Sequence, residues 1–261
     1  MDGWIQPLLI VEAFVLGAVV GSFLNVVIYR VPRRMSIVKP RSACPSCATP
    51  IAWYDNVPLL SWLVLGGRCR SCRGAIAFRY PVVEAAAGAL AAFGVGLYGL
   101  EPVTVEVVVF AWLSLALALI DLEHQILPDI MTYPAIVFGL VFSWFGGFTT
   151  FVDSVAGALV GAALPTGVIL LYRWLRGIDG MGWGDVKYLA AIGAVVGAQG
   201  CLMVLVVAAI LGALVGGALI AAGKGSSKTA LPFGTFLAVA VMLWLYSPIE
   251  PSSITGLLFG G

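Results

Sequence analysis

Eight apolar stretches constrain this chain more than any motif in it. Residues 7–28, 82–100, 103–121, 130–147, 152–172, 201–222 and 231–247 are each long and apolar enough to cross a bilayer, and a shorter run covers 187–199. Crossing ~30 Å of hydrocarbon takes ~20 apolar helical residues. At ~1.5 Å per residue the short run is a thin span or a re-entrant piece. Backbone N–H and C=O groups find no water in lipid, so such runs are helices bonded within themselves. The chain is 61% hydrophobic and 10% charged, against about a quarter charged in soluble domains. The expected fold class is an all-α polytopic membrane protein of about eight transmembrane helices.

The basic residues test that count. With residue 1 outside, eight crossings put 29–81, 121–130, 173–187 and 222–231 on one side, and all 14 Lys and Arg lie there. The positive-inside rule makes that side cytoplasmic. Were 187–199 re-entrant, Lys224 and Lys228 would fall outside and the agreement would break. Eight spans with both termini outside follow. The first span lacks the basic start and small-residue cleavage site of a signal peptide, running instead into "YRVPRR". The 32 glycines are spread through the spans, as in "LGALVGGALIAAG", which suits close helix packing.

The first cytoplasmic loop, 30–80, carries "CPSC" and "CRSC": Cys44, Cys47, Cys69 and Cys72 in a C-x2-C-x21-C-x2-C pattern. Four thiolates so spaced can hold zinc tetrahedrally. Iron–sulfur ligation is the alternative, and two disulfides are disfavoured on the cytoplasmic side. A loop of about fifty residues hardly builds a core alone, so a metal staple is physically sensible. Its basic and aromatic residues are no nucleic-acid signature, because "NVPLLSWLVLGG" between the knuckles is apolar. Cys201, alone in an apolar span, packs.

The acids at or inside helix ends are Glu12, Glu84, Asp121, Glu123, Asp129 and Asp185. Each is expensive in lipid and therefore a functional candidate. Asp121 ends the third span and Asp185 opens the sixth, at the same depth on the cytoplasmic side. Two carboxylates meeting there share one proton, so that one activates water while the other polarises a carbonyl. The alternative is that each acid caps a helix or pairs with a base. Gly180, Gly182 and Gly184 around "GMGWGD" permit positive φ and leave room for a second backbone, or simply form a loop.

These motifs together resemble the prepilin peptidases (type IV leader peptidases), bifunctional inner-membrane aspartic proteases of the GxGD class. "GSFLNVVIYRVP", the paired knuckles, "YDNVPLLSWLVLGGRCRSC" and "RYPVVE" match the family's amino-terminal region. "DLEHQILPD", "GMGWGDVKYLAAIGA" and "LPFG" match its peptidase region. The resemblance implies catalytic roles for Asp121 and Asp185, an active-site loop with Gly182, Gly184 and Lys187, and metal binding by the four cysteines. It implies cleavage of a basic leader from prepilins or pseudopilins at the cytoplasmic face of the inner membrane. N-methylation of the new amino terminus by S-adenosylmethionine follows, for pilus assembly, type II secretion or DNA uptake. Gly67 matches a glycine linked to methyl transfer, and Glu84 lies near that site. On this reading residues 1–100 serve methyl transfer and 101–250 proteolysis.

The terminal motif departs from the family's usual LPFGP, since Thr235 follows "LPFG". His124, three residues after Asp121, either stabilises a charge there or anchors the interface. Lys187 either acts on a neighbouring acid or snorkels. The alternatives to the bifunctional enzyme are a peptidase without methylation and, in a different class, a proton-coupled transporter using the two acids as relays.

Overall fold

The computed structural model describes residues 5–177, 181–224 and 231–247. Its helices are α1 (Ile5–Arg30), α2 (Leu60–Val64), α3 (Arg79–Tyr98), α4 (Pro102–His124), α5 (Asp129–Trp144), α6 (Phe151–Arg176), α7 (Trp183–Ala221) and α8 (Phe233–Leu245), with a short 3-10 turn at Trp53–Asn56. Among the described residues β structure is limited to two isolated bridges, Ala43–Pro50 and Arg68–Ala75. Helices α1, α3, α4, α6 and α7 are long and apolar enough to cross a membrane, while α5 and α8 are apolar but shorter. The chain is a helical, multi-pass membrane protein.

It divides into two compact units, Met1–Leu100 and Glu101–Gly261. In the first, α1 packs on α3 through small residues. A Cβ on Gly17 would lie 2.6 Å from the Ala87 carbonyl oxygen, and one on Gly21 2.7 Å from Glu84 Cα. Backbone therefore meets backbone, the small-residue contact that replaces hydrophobic driving force in lipid. Between these helices, residues 31–78 contain one buried residue, Gly67.

In the second unit α7 is the centre, packing on α5, α6 and α8, with α4 on α8. As one straight rod its 39 residues would run ~58 Å, about twice the hydrocarbon thickness. It is broken at Gly197, whose φ of 77° and ψ of 177° leave the helical region. The two apolar runs expected at 187–199 and 201–222 are thus its two halves, and the division falls at Gly197. From Val186 to Gly197 every residue but Lys187 is buried, as expected of a helix apolar all round. Helix α6 approaches so closely that a Cβ on Gly157 would fall on the Gly193 carbonyl.

The break is capped across helices. The Asp153 carboxylate, at the start of α6, accepts the Ala198 N–H at 3.3 Å and the Thr149 hydroxyl at 3.0 Å. In α4, fully buried Glu106 accepts the Phe148 N–H at 2.6 Å. Neither acid stands out in the sequence, yet each satisfies backbone groups where a loop or broken helix exposes them.

Candidate active site

Helix α4 ends at His124 because Gln125 turns into the left-handed region, with φ of 53° and its N–H bonded to the Asp121 carbonyl at 2.8 Å. This places Asp121 in the last turn, 5% exposed. Its Oδ2 accepts the Thr235 N–H at 2.8 Å, and the Thr235 hydroxyl lies 3.2 Å from the same oxygen and 3.0 Å from the Ala118 carbonyl. The residue that departs from the usual motif therefore donates to this carboxylate, beside the Gly234 N–H, and a proline there, lacking an N–H, could not.

Asp185 occupies the first turn of α7, with Gly182 as N-cap. A Cβ on Gly182 would sit 3.3 Å from Asp185 Oδ2. Leu127 links the surroundings of the two aspartates. A Cβ on Gly184 would be 3.0 Å from Leu127 Cβ, and one on Gly234 2.8 Å from Leu127 Cδ1 and 3.0 Å from Asp121 Oδ2. Leu127 thus packs against a glycine near each acid, Gly184 next to Asp185 on α7 and Gly234 beside the Asp121 carboxylate on α8.

The glycine expectation changes in detail. Gly182 has φ of −76° and extended backbone, and Gly184 is helical, so neither uses positive φ. What matters is the missing Cβ, and the backbone approaching Gly184 is that of residue 127 of this chain, 3.5 Å from where a Cβ would sit. Gly180 lies outside the described residues. Lys187 forms an ion pair with Asp129, in the first turn of α5, and stands 5.3 Å over the Tyr133 ring. That pair fastens α7 to α5 and explains a second acid in "DLEHQILPD". His124 Nε2 is 4.0 Å from Glu123 and lacks a hydrogen-bond partner.

Two further residues escaped notice. Tyr188, one turn after Asp185, is fully buried, and its hydroxyl faces that of Ser114, itself fully buried. Both lie on the faces of their aspartates by helical period, 188 = 185 + 3 and 114 = 121 − 7. That spacing is the signal that could have found them.

The cysteine knuckles repeat one design. Ala48 N–H bonds to Cys44 O and Cys44 N–H to Thr49 O; Arg73 N–H bonds to Cys69 O and Cys69 N–H to Gly74 O. Ala48 and Arg73 both take positive φ, 56° and 58°. All four Sγ atoms lie within 4.8 Å of one another, with Cys44 and Cys72 at 3.8 Å. A tetrahedral zinc with Zn–S of ~2.3 Å requires sulfurs ~3.8 Å apart, so the cluster fits that ion. The protons agree. Bonds from Thr49 lower Cys47 to about 6, and Cys69 is lowered by the Cys72 and Ser71 backbone. Cys72, although the Gly74 N–H lowers it, is pushed up to about 11 by the neighbouring thiols and by burial. Without a cation, four crowded sulfurs cannot all ionise.

Gly67 joins this loop to the second knuckle. Its φ is 66°, its N–H bonds to Trp62 O at 2.8 Å, and a Cβ there would sit 2.9 Å from the Trp62 ring. Glu84, 8% exposed, accepts the Leu59 N–H at 2.8 Å.

Comparison with known proteins adds an independent line. A profile described as "Bacterial Peptidase A24 N-terminal domain" matches residues 15–97, and one described as "Type IV leader peptidase family" matches 108–217. The Prepilin leader peptidase/N-methyltransferase of Stutzerimonas stutzeri is 36% identical over 258 residues, covering 89% of this chain and 89% of the relative. The protein of that name from Pseudomonas aeruginosa is 36% identical over 255 residues, covering 88% of each. The one from Burkholderia pseudomallei is 38% identical over 278 residues, covering 95% of this chain and 87% of its own. No solved structure matches. Identity at this level, held across most of both chains in each pair, means that the chain belongs to the type IV leader peptidase family.

Proposed function

We propose that this protein is a prepilin leader peptidase and N-methyltransferase of the inner membrane, with eight spans and its active site at the cytoplasmic face. The observation that supports the reading is the setting of Asp121 and Asp185, two carboxylates from different helices, each next to a glycine that packs on Leu127. In cleavage the pair holds one proton. The ionised carboxylate takes a proton from water as its oxygen attacks the scissile carbonyl, and the protonated partner donates to the carbonyl oxygen. Collapse returns the proton to the leaving amine, freeing the leader's carboxylate and a new amino terminus. Thr235 orients Asp121 through the bonds described, and Lys187 with Asp129 holds the start of α7.

The substrates on this reading are prepilins or pseudopilins, whose basic leader suits a cytoplasmic face. Cys44, Cys47, Cys69 and Cys72 would hold a structural zinc, which when bound supplies four-fold cross-linking of residues 44–72. S-adenosylmethionine, when bound, supplies an electrophilic methyl carbon for the exposed amine. Glu84 and Gly67 belong to the unit that serves this step. A side chain at Gly67 would strain φ and press on Trp62, disturbing the loop.

The test is cleavage of a full-length prepilin by Asp121→Asn and Asp185→Asn in detergent, with no ion gradient. Each variant should lose cleavage while still methylating a peptide that begins at the processed amino terminus. Full cleavage by either variant would sink the assignment.

A further inference from the structure

Where α1 meets the start of α3, the first unit buries an amide oxygen that its own residues leave unused and an acid to which no ion pair is made among the described residues. Asn25 is 3% exposed. Its Nδ2 donates to the Tyr80 carbonyl at 3.2 Å and to the Gly21 carbonyl at 3.3 Å. Both amide hydrogens are thereby spent and the amide orientation is set, since a flipped amide would oppose oxygen to oxygen. Asn25 Oδ1 is left buried without a partner. One turn beyond Tyr80, Glu84 accepts the Leu59 N–H and lies within reach of the Ser22 hydroxyl. No ion pair among the described residues involves Glu84. Arg30 is committed to the Ser36 and Pro40 carbonyls, and Arg70 to Asp55.

Gly21 ties the two acceptors together. Its carbonyl receives Asn25, and its missing Cβ lets Glu84 Cα come within 2.7 Å of that position. A buried carboxyl group and a buried amide oxygen thus stand on facing turns of α1 and α3, Gly21–Asn25 and Tyr80–Glu84, and no ion pair among the described residues compensates the acid. An unused buried acceptor and an uncompensated buried charge are both costly. One ligand group relieves both, a primary ammonium with three N–H donors and a positive charge.

We infer that Glu84 and Asn25 form a binding site for a primary ammonium group. The inference rests on the methyl-transfer half of the function proposed above, which presents two such groups. One is the new amino terminus of the processed substrate, and the other is the amino group of the methyl donor. Leu59, held at φ of 62° with its N–H on Glu84, fixes the carboxylate. The Ser22 hydroxyl adds a second donor to its oxygens.

The experiment compares the full chain with Glu84→Gln, which keeps an oxygen for the Leu59 N–H and removes only the charge. Cleavage of full-length prepilin in the same preparation reports the folded state. Titration calorimetry reads binding of three probes: a processed-terminus peptide with a free amine, its N-acetylated counterpart, and S-adenosylmethionine alone. The expected result is that Glu84→Gln weakens one amine-bearing probe about tenfold or more, raising its KM in methylation to match. Loss for the free peptide, with the N-acetylated peptide poor for both proteins, places the substrate's amine in the site. Loss for the methyl donor alone places the donor's amine there. Unchanged binding of every probe to a folded Glu84→Gln protein would overturn the site. A wild-type chain that binds the amines but never methylates would instead overturn the methyltransferase reading, leaving the site intact.

Discussion

Stripping metal from the paired knuckles asks what holds residues 31–78 in place. Gly67 is the one buried residue in that segment, and three bonds tie the segment to the flanking helices at Ser36, Pro40 and Leu59, none of them within either knuckle. Hydrogen bonds within each knuckle are local, and the exposed Arg70–Asp55 pair is screened by solvent. Cross-linking Cys47 to Cys69 closes a loop of 21 intervening residues. By chain-closure entropy this is worth about 3.5 kcal/mol, or a few-hundredfold in the population of the ordered loop. The expected result of exhaustive chelation, or of Cys47→Ser, is loss of protection at the knuckle amides of Cys44, Ala48, Cys69 and Arg73, read by hydrogen–deuterium exchange. Their rates should rise by about a hundredfold or more while the α1 and α3 amides stay protected. Elemental analysis should find one zinc per chain before treatment. Unchanged exchange in protein shown to be metal-free would refute the argument that a metal holds this loop.

Thr235→Val removes one donor to Asp121 and Thr235→Pro removes both, so kcat for cleavage should fall by about twofold to tenfold in the first and further in the second, with KM little changed. Wild-type kcat in both would show these bonds to be idle. Gly157→Ala forces a methyl onto the Gly193 carbonyl and should cost about 1–3 kcal/mol in thermal unfolding. Gly167→Ala, in the same helix with nothing within 4 Å of the new methyl, should gain about 0.5–1 kcal/mol; equal effects would refute the close contact. Arg70 holds the Asp55 carboxyl below its ordinary range. Its stabilising contribution is therefore complete above the usual aspartate range and disappears as pH falls through the lower folded value. Fluorescence of exposed Trp53, in the turn containing Asp55, should report loosening on acidification, and Asp55→Asn should show it already at neutral pH. A pH-independent signal in the wild type would count against the pair.

The acids show where reading a sequence ends. Asp121 and Asp185 can be picked out because each interrupts an apolar run, and charge there demands a reason. Glu106 and Asp153 pass unremarked, although both serve backbone groups that only the folded chain brings to them, Phe148 and Ala198. Lys187 reads as a neighbour of Asp185, yet its partner is Asp129, 58 positions away. Thr235 reads as a deviation, yet it donates to a carboxylate 114 positions distant.

Taken alone, the sequence determined the helical class, the extents of the apolar segments, the metal-ligand pattern and the two acids worth watching. These depend on properties that repeat along the chain, such as apolar length, thiol spacing and the cost of charge in lipid. The tertiary structure alone decided which helices lie side by side, that α7 breaks at Gly197, and which donor serves which acid. Those choices depend on close packing, where one missing Cβ at Gly157, Gly184 or Gly234 lets one particular neighbour approach. Helical period names the face a residue shares, but it carries no information about what will be pressed against that face.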